Sequence, residues 1–431
     1  MKVLFVYPHF QRHAEAHPEL LDSVPMTEYL GSPSLGIAAI AALTPPEWEV
    51  EFRDDRLSPA DVPTDADIVA LSFFTGAAKR GLALADYFRS NGKTVVAGGI
   101  FPTMMPDVTA PHVDAVVIGE GEGSWLRLLD DYKKGELKPQ YRCLDTVDLA
   151  NLPIPDLSLY FGLENDRFKP DDYPLQISRG CPMNCRACVL PVSMTKELRC
   201  FKFDHVLGQL DQLAKADKMG CLTEDTSWFP ASAQKKLMEA MFDHMLAEGV
   251  RAKISYIGIS MPMILCTSPK FLAKAKACGV DLFYLVGGFD PITMGAFSGD
   301  NDRALQRAHK SIKKAWDAGI EPYTSFLIGG DQDDVGTADR MLEFAEKAKI
   351  RKAEFAIATP YPGTPQWHQL VEEKRILTKD WSKYNDANVV FRPAQMTPDQ
   401  LLQAYLDLWR GFYADKKHLA DLPTYQQTIQ F

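Results

Sequence analysis

Residues 175–188, Leu175-Gln176-Ile177-Ser178-Arg179-Gly180-Cys181-Pro182-Met183-Asn184-Cys185-Arg186-Ala187-Cys188, run from a short apolar strand into a loop that carries three thiols. The strand is predicted over Leu175 to Ser178, and Gly180 and Pro182 open the loop behind it. The cysteines are separated by three and then two residues. Soft thiolates at such spacing select an iron–sulfur cluster, zinc or Cu(I). Structural zinc takes four ligands, usually from paired Cys-x-x-Cys knuckles, and no fourth cysteine or histidine lies nearby in the sequence. Three thiolates on a four-iron cluster leave one iron without a protein ligand. The bland alternative is three incidental core cysteines.

Working outward, the loop stands at the head of a second α/β series. Candidate strands are Leu175 to Ser178, Cys221 to Glu224, Ile254 to Ile259, Phe283 to Gly287, Tyr323 to Ile328 and Glu354 to Ala358, separated by helical stretches such as Ala233 to Glu248 and Ala304 to Ala318. Six β/α units predict a (β/α)6 barrel or partial TIM-type barrel over residues 173–375, with its chemistry at the strand C-termini. A helical cap follows over 376–431, closed by a helix at Thr397 to Tyr413. Residues 141–172, with Leu152-Pro153-Ile154-Pro155, read as a linker. Before them, residues 1–140 alternate short β-branched runs (Val3 to Tyr7, Trp48 to Arg53, Ile68 to Ser72, Thr94 to Ala97, Ala115 to Ile118) with amphipathic stretches, the pattern of a parallel sheet covered by helices. Most of these strands end at glycine, proline or a small polar residue, where ligands of open α/β sheets sit.

A formal net charge of −10 argues against nucleic acid as the partner, since phosphate binding wants a basic face. No apolar run approaches the roughly 20 residues of a membrane span. The start, Met1-Lys2 before the first strand, is too short for a signal peptide. A cytoplasmic chain is expected, in which the eight cysteines stay reduced.

The thiol loop after the first strand of a six-unit barrel resembles the radical S-adenosylmethionine (radical SAM) superfamily. Further motifs are similar to its branch with an amino-terminal cobalamin (B12)-binding domain: Met219-Gly220-Cys221-Leu222-Thr223-Glu224-Asp225, Ala318-Gly319-Ile320 leading to Phe326-Leu327-Ile328-Gly329-Gly330, and Thr359-Pro360-Tyr361-Pro362-Gly363-Thr364-Pro365. In the first series, Ser32-Pro33-Ser34-Leu35-Gly36-Ile37, Gly98-Gly99-Ile100-Phe101-Pro102-Thr103 and Ile118-Gly119-Glu120-Gly121-Glu122 resemble that Rossmann-like, doubly wound domain. The resemblance implies a [4Fe–4S] cluster on Cys181, Cys185 and Cys188, S-adenosylmethionine on the open iron, and either a place for cobalamin near Gly98, Gly99, Phe101, Thr103, Gly119 and Glu120 or a retained scaffold there that shapes the site and holds none. It also implies a small-molecule substrate and an external one-electron reductant such as flavodoxin or ferredoxin. Two departures stand out. Phe101 occupies a position where the branch usually has histidine, and there is no Asp-x-His-x-x-Gly sequence to supply a cobalt ligand.

Alkylation of the substrate, most often methylation through cobalamin, is the activity so implied. Transfer of a 3-amino-3-carboxypropyl group to a soft acceptor (sulfur or arsenic), radical cyclisation or rearrangement, and a non-catalytic sensor are the competing readings. Glu224 and Asp225, at a strand end, are expected to meet the S-adenosylmethionine amino group or the substrate; the bland alternative is a helix cap. Ser260 is a candidate cofactor contact, and the resemblance makes Asp290 a candidate partner of ribose hydroxyls, although the usual Gly-Ile-Glu-Ser wording is missing there. Cys200 is a candidate reactive thiol, while Cys221 is expected to be a packed core thiol. His9, His13 and His17 recur every four residues, as for one helix face, but their polar surroundings favour a loop. Asp331-Gln332-Asp333-Asp334 suits a turn before a helix N-terminus. Tyr361, Trp228, Phe229 and Trp367 form either an aromatic pocket or core.

Overall fold

The computed structural model describes residues 1–25, 30–143, 146–165, 168–222, 224–225, 232–286, 301–423 and 426–427. The first sheet contains β1 (Lys2–Tyr7), β2 (Glu49–Asp54), β3 (Ile68–Ser72), β4 (Thr94–Gly98), β5 (Ala115–Ile118) and β6 (Gln140–Arg142). Its order is β2-β1-β3-β4-β5-β6, and every pairing is parallel. Val3 to Tyr7 and Ile68 to Leu71 are buried throughout, which a parallel strand covered on both faces requires. The strand order reverses direction between β1 and β3, and a crevice opens at such a switch point beyond the strand C-termini.

The sixth strand was not foreseen from the sequence. Gln140-Tyr141-Arg142 has one apolar position, yet Tyr141 is 1% exposed and its hydroxyl donates to Asp131 at 2.9 Å.

The second half supplies β7 (Tyr173–Leu175), β8 (Ser178–Arg179), β9 (Arg199–Cys200), β10 (Gly220–Leu222), β11 (Ile254–Gly258), β12 (Leu282–Val286), β13 (Glu321–Ile328) and β14 (Lys352–Ile357). Six of them form a parallel sheet in the order β14-β13-β12-β11-β10-β7, which is sequence order read backwards. Helices such as Pro269–Ala277, Asn301–Asp317 and Thr337–Lys347 return the chain between strands, so the fold is the expected α/β pair of a doubly wound domain and a partial barrel. The strand predicted at Leu175 to Ser178 is divided. β7 ends at Leu175, and Ser178–Arg179 turns away to pair antiparallel with Arg199–Cys200.

Helix Pro398–Tyr413 closes the cap. A capping box of Thr397 and Gln400 starts it, and its buried face sets Trp409 against Phe355, with ring centroids 5.3 Å apart. The stretch before β7 ties the two sheets together. The Tyr160 hydroxyl donates to the Ser34 carbonyl at 2.7 Å, and the Leu157 N–H donates to Gln212 at 2.6 Å.

The spaced histidines do not stack on one helix, because the helix there spans only His13–Ala16. His17 instead bonds the Ala387 carbonyl through Nε2 at 2.7 Å, and His13 Nδ1 lies 3.0 Å from the Tyr405 hydroxyl. They fasten the loop after β1 to the cap. The acidic run does form a turn, with Asp333 accepting the N–H groups of Gly329 and Gly330, each at 2.8 Å. Among the described residues no helix is long and apolar enough to cross a membrane.

Candidate functional site

The thiol loop begins at a glycine whose conformation and surroundings disfavour a side chain. Gly180 has φ of +96°, and a Cβ built there would run into the Glu197 carbonyl. Cys181 is buried, Cys185 and Cys188 are half-buried, and all three are free thiols. Burial raises the pKa of Cys185 and Cys188, and the neighbouring thiols raise it further. Among the described residues no three His, Cys, Asp or Glu side chains gather as a finished metal site. The donor set still suits a thiolate-held cluster, since a bound metal deprotonates its thiols outright.

Two carboxylates after β10 hold the loop. Asp225 accepts the Gly180 N–H at 2.7 Å. Glu224 accepts the Ile177 N–H at 2.8 Å, the Ser178 hydroxyl, and the Gln234 amide at 3.0 Å. Burial pushes the Glu224 carboxyl up to about 7 and also raises Asp225. Both residues therefore act on the backbone that delivers Cys181. The broken strand has the same origin, because Gln176 and Ile177 give their backbone N–H groups to the Gln209 and Glu224 side chains where a ladder would have continued.

A cavity of about 270 Å³ opens beyond the C-terminal ends of β3, β4 and β5. Ile37, Leu71, Val117 and Trp125 give it apolar walls, and Gly98, Gly99 and Gly119 keep its floor low. Gly99 has φ of +95°, and a Cβ there would stand 3.0 Å from the Phe73 backbone. Thr103 Oγ1 accepts the Gly119 N–H at 3.0 Å. Thr103 and Glu120 also line the cavity. The opposite rim comes from the second half of the chain, as Gln176, Arg179, Ser193 and Met194. Arg179 bridges Glu120 at 3.1 Å and Glu122 at 2.7 Å, and Arg199 reaches Glu120 at 2.9 Å. These four side chains are each 8–10% exposed, so the pairs are shielded from solvent.

Phe101 requires a correction. It does not line the cavity but is 0% exposed, packed between Phe73 and Trp381 at centroid distances of 6.0 and 5.5 Å. The backbone turn at Gly99 directs it into the core. Cys200, on β9, pairs with Ser178 and lies close enough to Glu224 for that carboxylate, after burial, to raise its thiol pKa. It thus adjoins the thiol loop. Cys221 is core, 3% exposed. Ser260, just past β11, is 3% exposed, and its hydroxyl has no partner among the described residues. Asp290, Trp228 and Phe229 lie outside the described residues. Tyr361 donates to Asp386 at 2.8 Å and Trp367 is buried, so this pair belongs to the packing of the cap. Arg179, Glu122, Gln234 and Ser193 were not singled out from the sequence. For Arg179 the only signal was its place two residues before Cys181.

No protein-family model matches the chain. Bacteriochlorophyllide d C-8(2)-methyltransferase of Chlorobaculum tepidum is 26% identical over 392 residues, which cover 87% of this chain and 85% of the relative. The radical S-adenosylmethionine methyltransferase TsrM from Kitasatospora setae, solved with cobalamin and a [4Fe–4S] cluster bound, aligns over 100% of this chain and 93% of its own, with a TM-score of 0.66 and 14% identity. The cobalamin-dependent S-adenosylmethionine radical enzyme OxsB, solved with aqua-cobalamin and S-adenosylmethionine bound, aligns over 94% of this chain and 65% of its own, with a TM-score of 0.69 and 15% identity. The chain is thus similar in sequence to a bacteriochlorophyllide methyltransferase and shares its two-sheet fold with two S-adenosylmethionine radical enzymes solved with cobalamin bound.

Proposed function

We propose that this chain is a radical SAM enzyme that alkylates a small molecule, methylation being the leading reaction. Cys181, Cys185 and Cys188 are the residues to hold the [4Fe–4S] cluster, and the cavity over β3, β4 and β5 is the place for one end of a cobalamin. The observation that carries this reading is the position of Arg179, which lines the cavity and leads straight into the thiol loop. When bound, the cluster supplies an electron to cleave S-adenosylmethionine, and cobalamin supplies a carrier for the methyl group.

The chain's own residues do the positioning. Asp225 and Glu224 fix the backbone from Ile177 to Gly180, so that the thiols leave a rigid base. The Ser260 hydroxyl, buried without a partner among the described residues at the end of β11, is the donor for a ligand at the barrel mouth. Gly98, Gly99 and Gly119 let backbone approach the ligand in the cavity. Residues 1–140 serve as the cobalamin-binding-like unit, 141–172 as the tether, 173–375 as the radical SAM unit and 376–431 as its cap. The electron comes from a flavodoxin or ferredoxin in the cytoplasm, and a net charge of −10 disfavours nucleic acid as a partner.

Anaerobic reconstitution with iron, sulfide and hydroxocobalamin tests this reading. The visible spectrum should show both chromophores, and with a reductant the protein should consume S-adenosylmethionine and release 5′-deoxyadenosine. Methylthioadenosine without 5′-deoxyadenosine would move the assignment to 3-amino-3-carboxypropyl transfer. A protein that binds neither group overturns it.

A further inference from the structure

The thiol loop is bracketed by two residues of the cavity. Arg179 stands two positions before Cys181 and Ser193 five positions after Cys188, and both contribute to the cavity rim. Arg179 is held there by Glu120 and Glu122, which line the same cavity from the loop after β5. Ser193 ends the short helix Leu190–Ser193, which packs on helix Ile100–Met104 next to Gly99. Its hydroxyl is buried, the residue being 7% exposed, and it has no partner among the described residues. A buried hydroxyl without a hydrogen bond is destabilising, and a polar group of a cavity ligand is in position to relieve it.

We propose that filling the cavity and assembling the cluster are energetically coupled through Arg179 and Ser193. A ligand that bonds Ser193 and packs on Arg179 immobilises both ends of the thiol loop. The loop then loses less conformational freedom when its three sulfurs converge on iron. Linkage makes the effect reciprocal, so an assembled cluster tightens ligand binding by the same factor. The identity of the two groups rests on the function proposed above; the coupling itself rests on the bracket.

The test uses the full-length protein and hydroxocobalamin as the probe, with binding followed by equilibrium dialysis and the visible absorbance of the cobalamin. Affinity is measured before and after anaerobic reconstitution with iron and sulfide, and iron content is measured with and without cobalamin. The wild-type protein should bind about tenfold more tightly once the cluster is present, within the range usual for coupled sites. Ser193→Ala and, separately, Arg179→Gln should bring that ratio to about twofold or less. Both readouts are bound cobalamin and bound iron, so neither depends on turnover. Equal wild-type affinities with and without the cluster overturn the coupling while leaving the proposed function in place. Failure to bind either group overturns both.

Discussion

Asp225 accepts the backbone N–H of Gly180 at 2.7 Å, so a carboxylate from the end of β10 grips the residue just ahead of the first loop thiol. Glu224 beside it holds Ile177 and Ser178. These bonds turn two acidic residues expected to meet a ligand into the clamp that aims the cysteines.

Gly180→Ala should abolish cluster loading. An L-residue at φ of +96° costs about 1–2 kcal/mol, and the clash with the Glu197 carbonyl adds about 1–3 kcal/mol. A total near 3 kcal/mol is roughly a hundredfold against the native loop. Iron and sulfide analysis after reconstitution should show almost none retained, while far-ultraviolet circular dichroism stays native. Wild-type iron content in this variant would refute the clamp.

Glu224 gives the fold a pH dependence of definite sign. Its carboxyl titrates at about 7 in the folded chain against an ordinary value of 4.5. Between those values the folded state holds the extra proton, so its contribution to stability is complete below pH 4.5. That contribution is lost as pH rises through 7. Denaturant midpoints of the metal-free protein at pH 5 and pH 8 should show this loss, and the difference should shrink in Glu224→Gln. An unchanged pH difference in that variant contradicts the assignment.

Phe101→His should destabilise the first domain without creating a cobalt ligand. The ring is fully buried against Phe73 and Trp381, and an imidazole there leaves polar atoms unsatisfied at about 1–3 kcal/mol. Thermal unfolding should move down, and the spectrum of bound cobalamin should match that of the wild type. A histidine-ligated cobalt spectrum would place residue 101 in the cavity after all.

Much of this was readable from the chain. The continuous apolar runs of β1, β3 and β5 announced a covered parallel sheet, and the three thiols behind a strand announced their own chemistry. What escaped was non-local. β6 has one apolar side chain to betray it, and the break between Leu175 and Ser178 depends on Glu224, which lies nearly fifty residues later. The Arg179–Glu122 pair joins residues 57 apart, and nothing in either segment alone marks it. Phe101 looked like a cavity residue because its neighbours Gly98 and Gly99 line the cavity, whereas its ring is turned inward against Phe73 and Trp381.

Cleavage of S-adenosylmethionine by the anaerobically reconstituted protein, compared with its Cys185→Ser variant, is the decisive measurement. With a reductant present, the wild type should release 5′-deoxyadenosine and show the electron paramagnetic resonance signal of a reduced four-iron centre, and the variant should show neither. Equal cleavage by both proteins would mean that the thiol loop does not hold the reactive cluster.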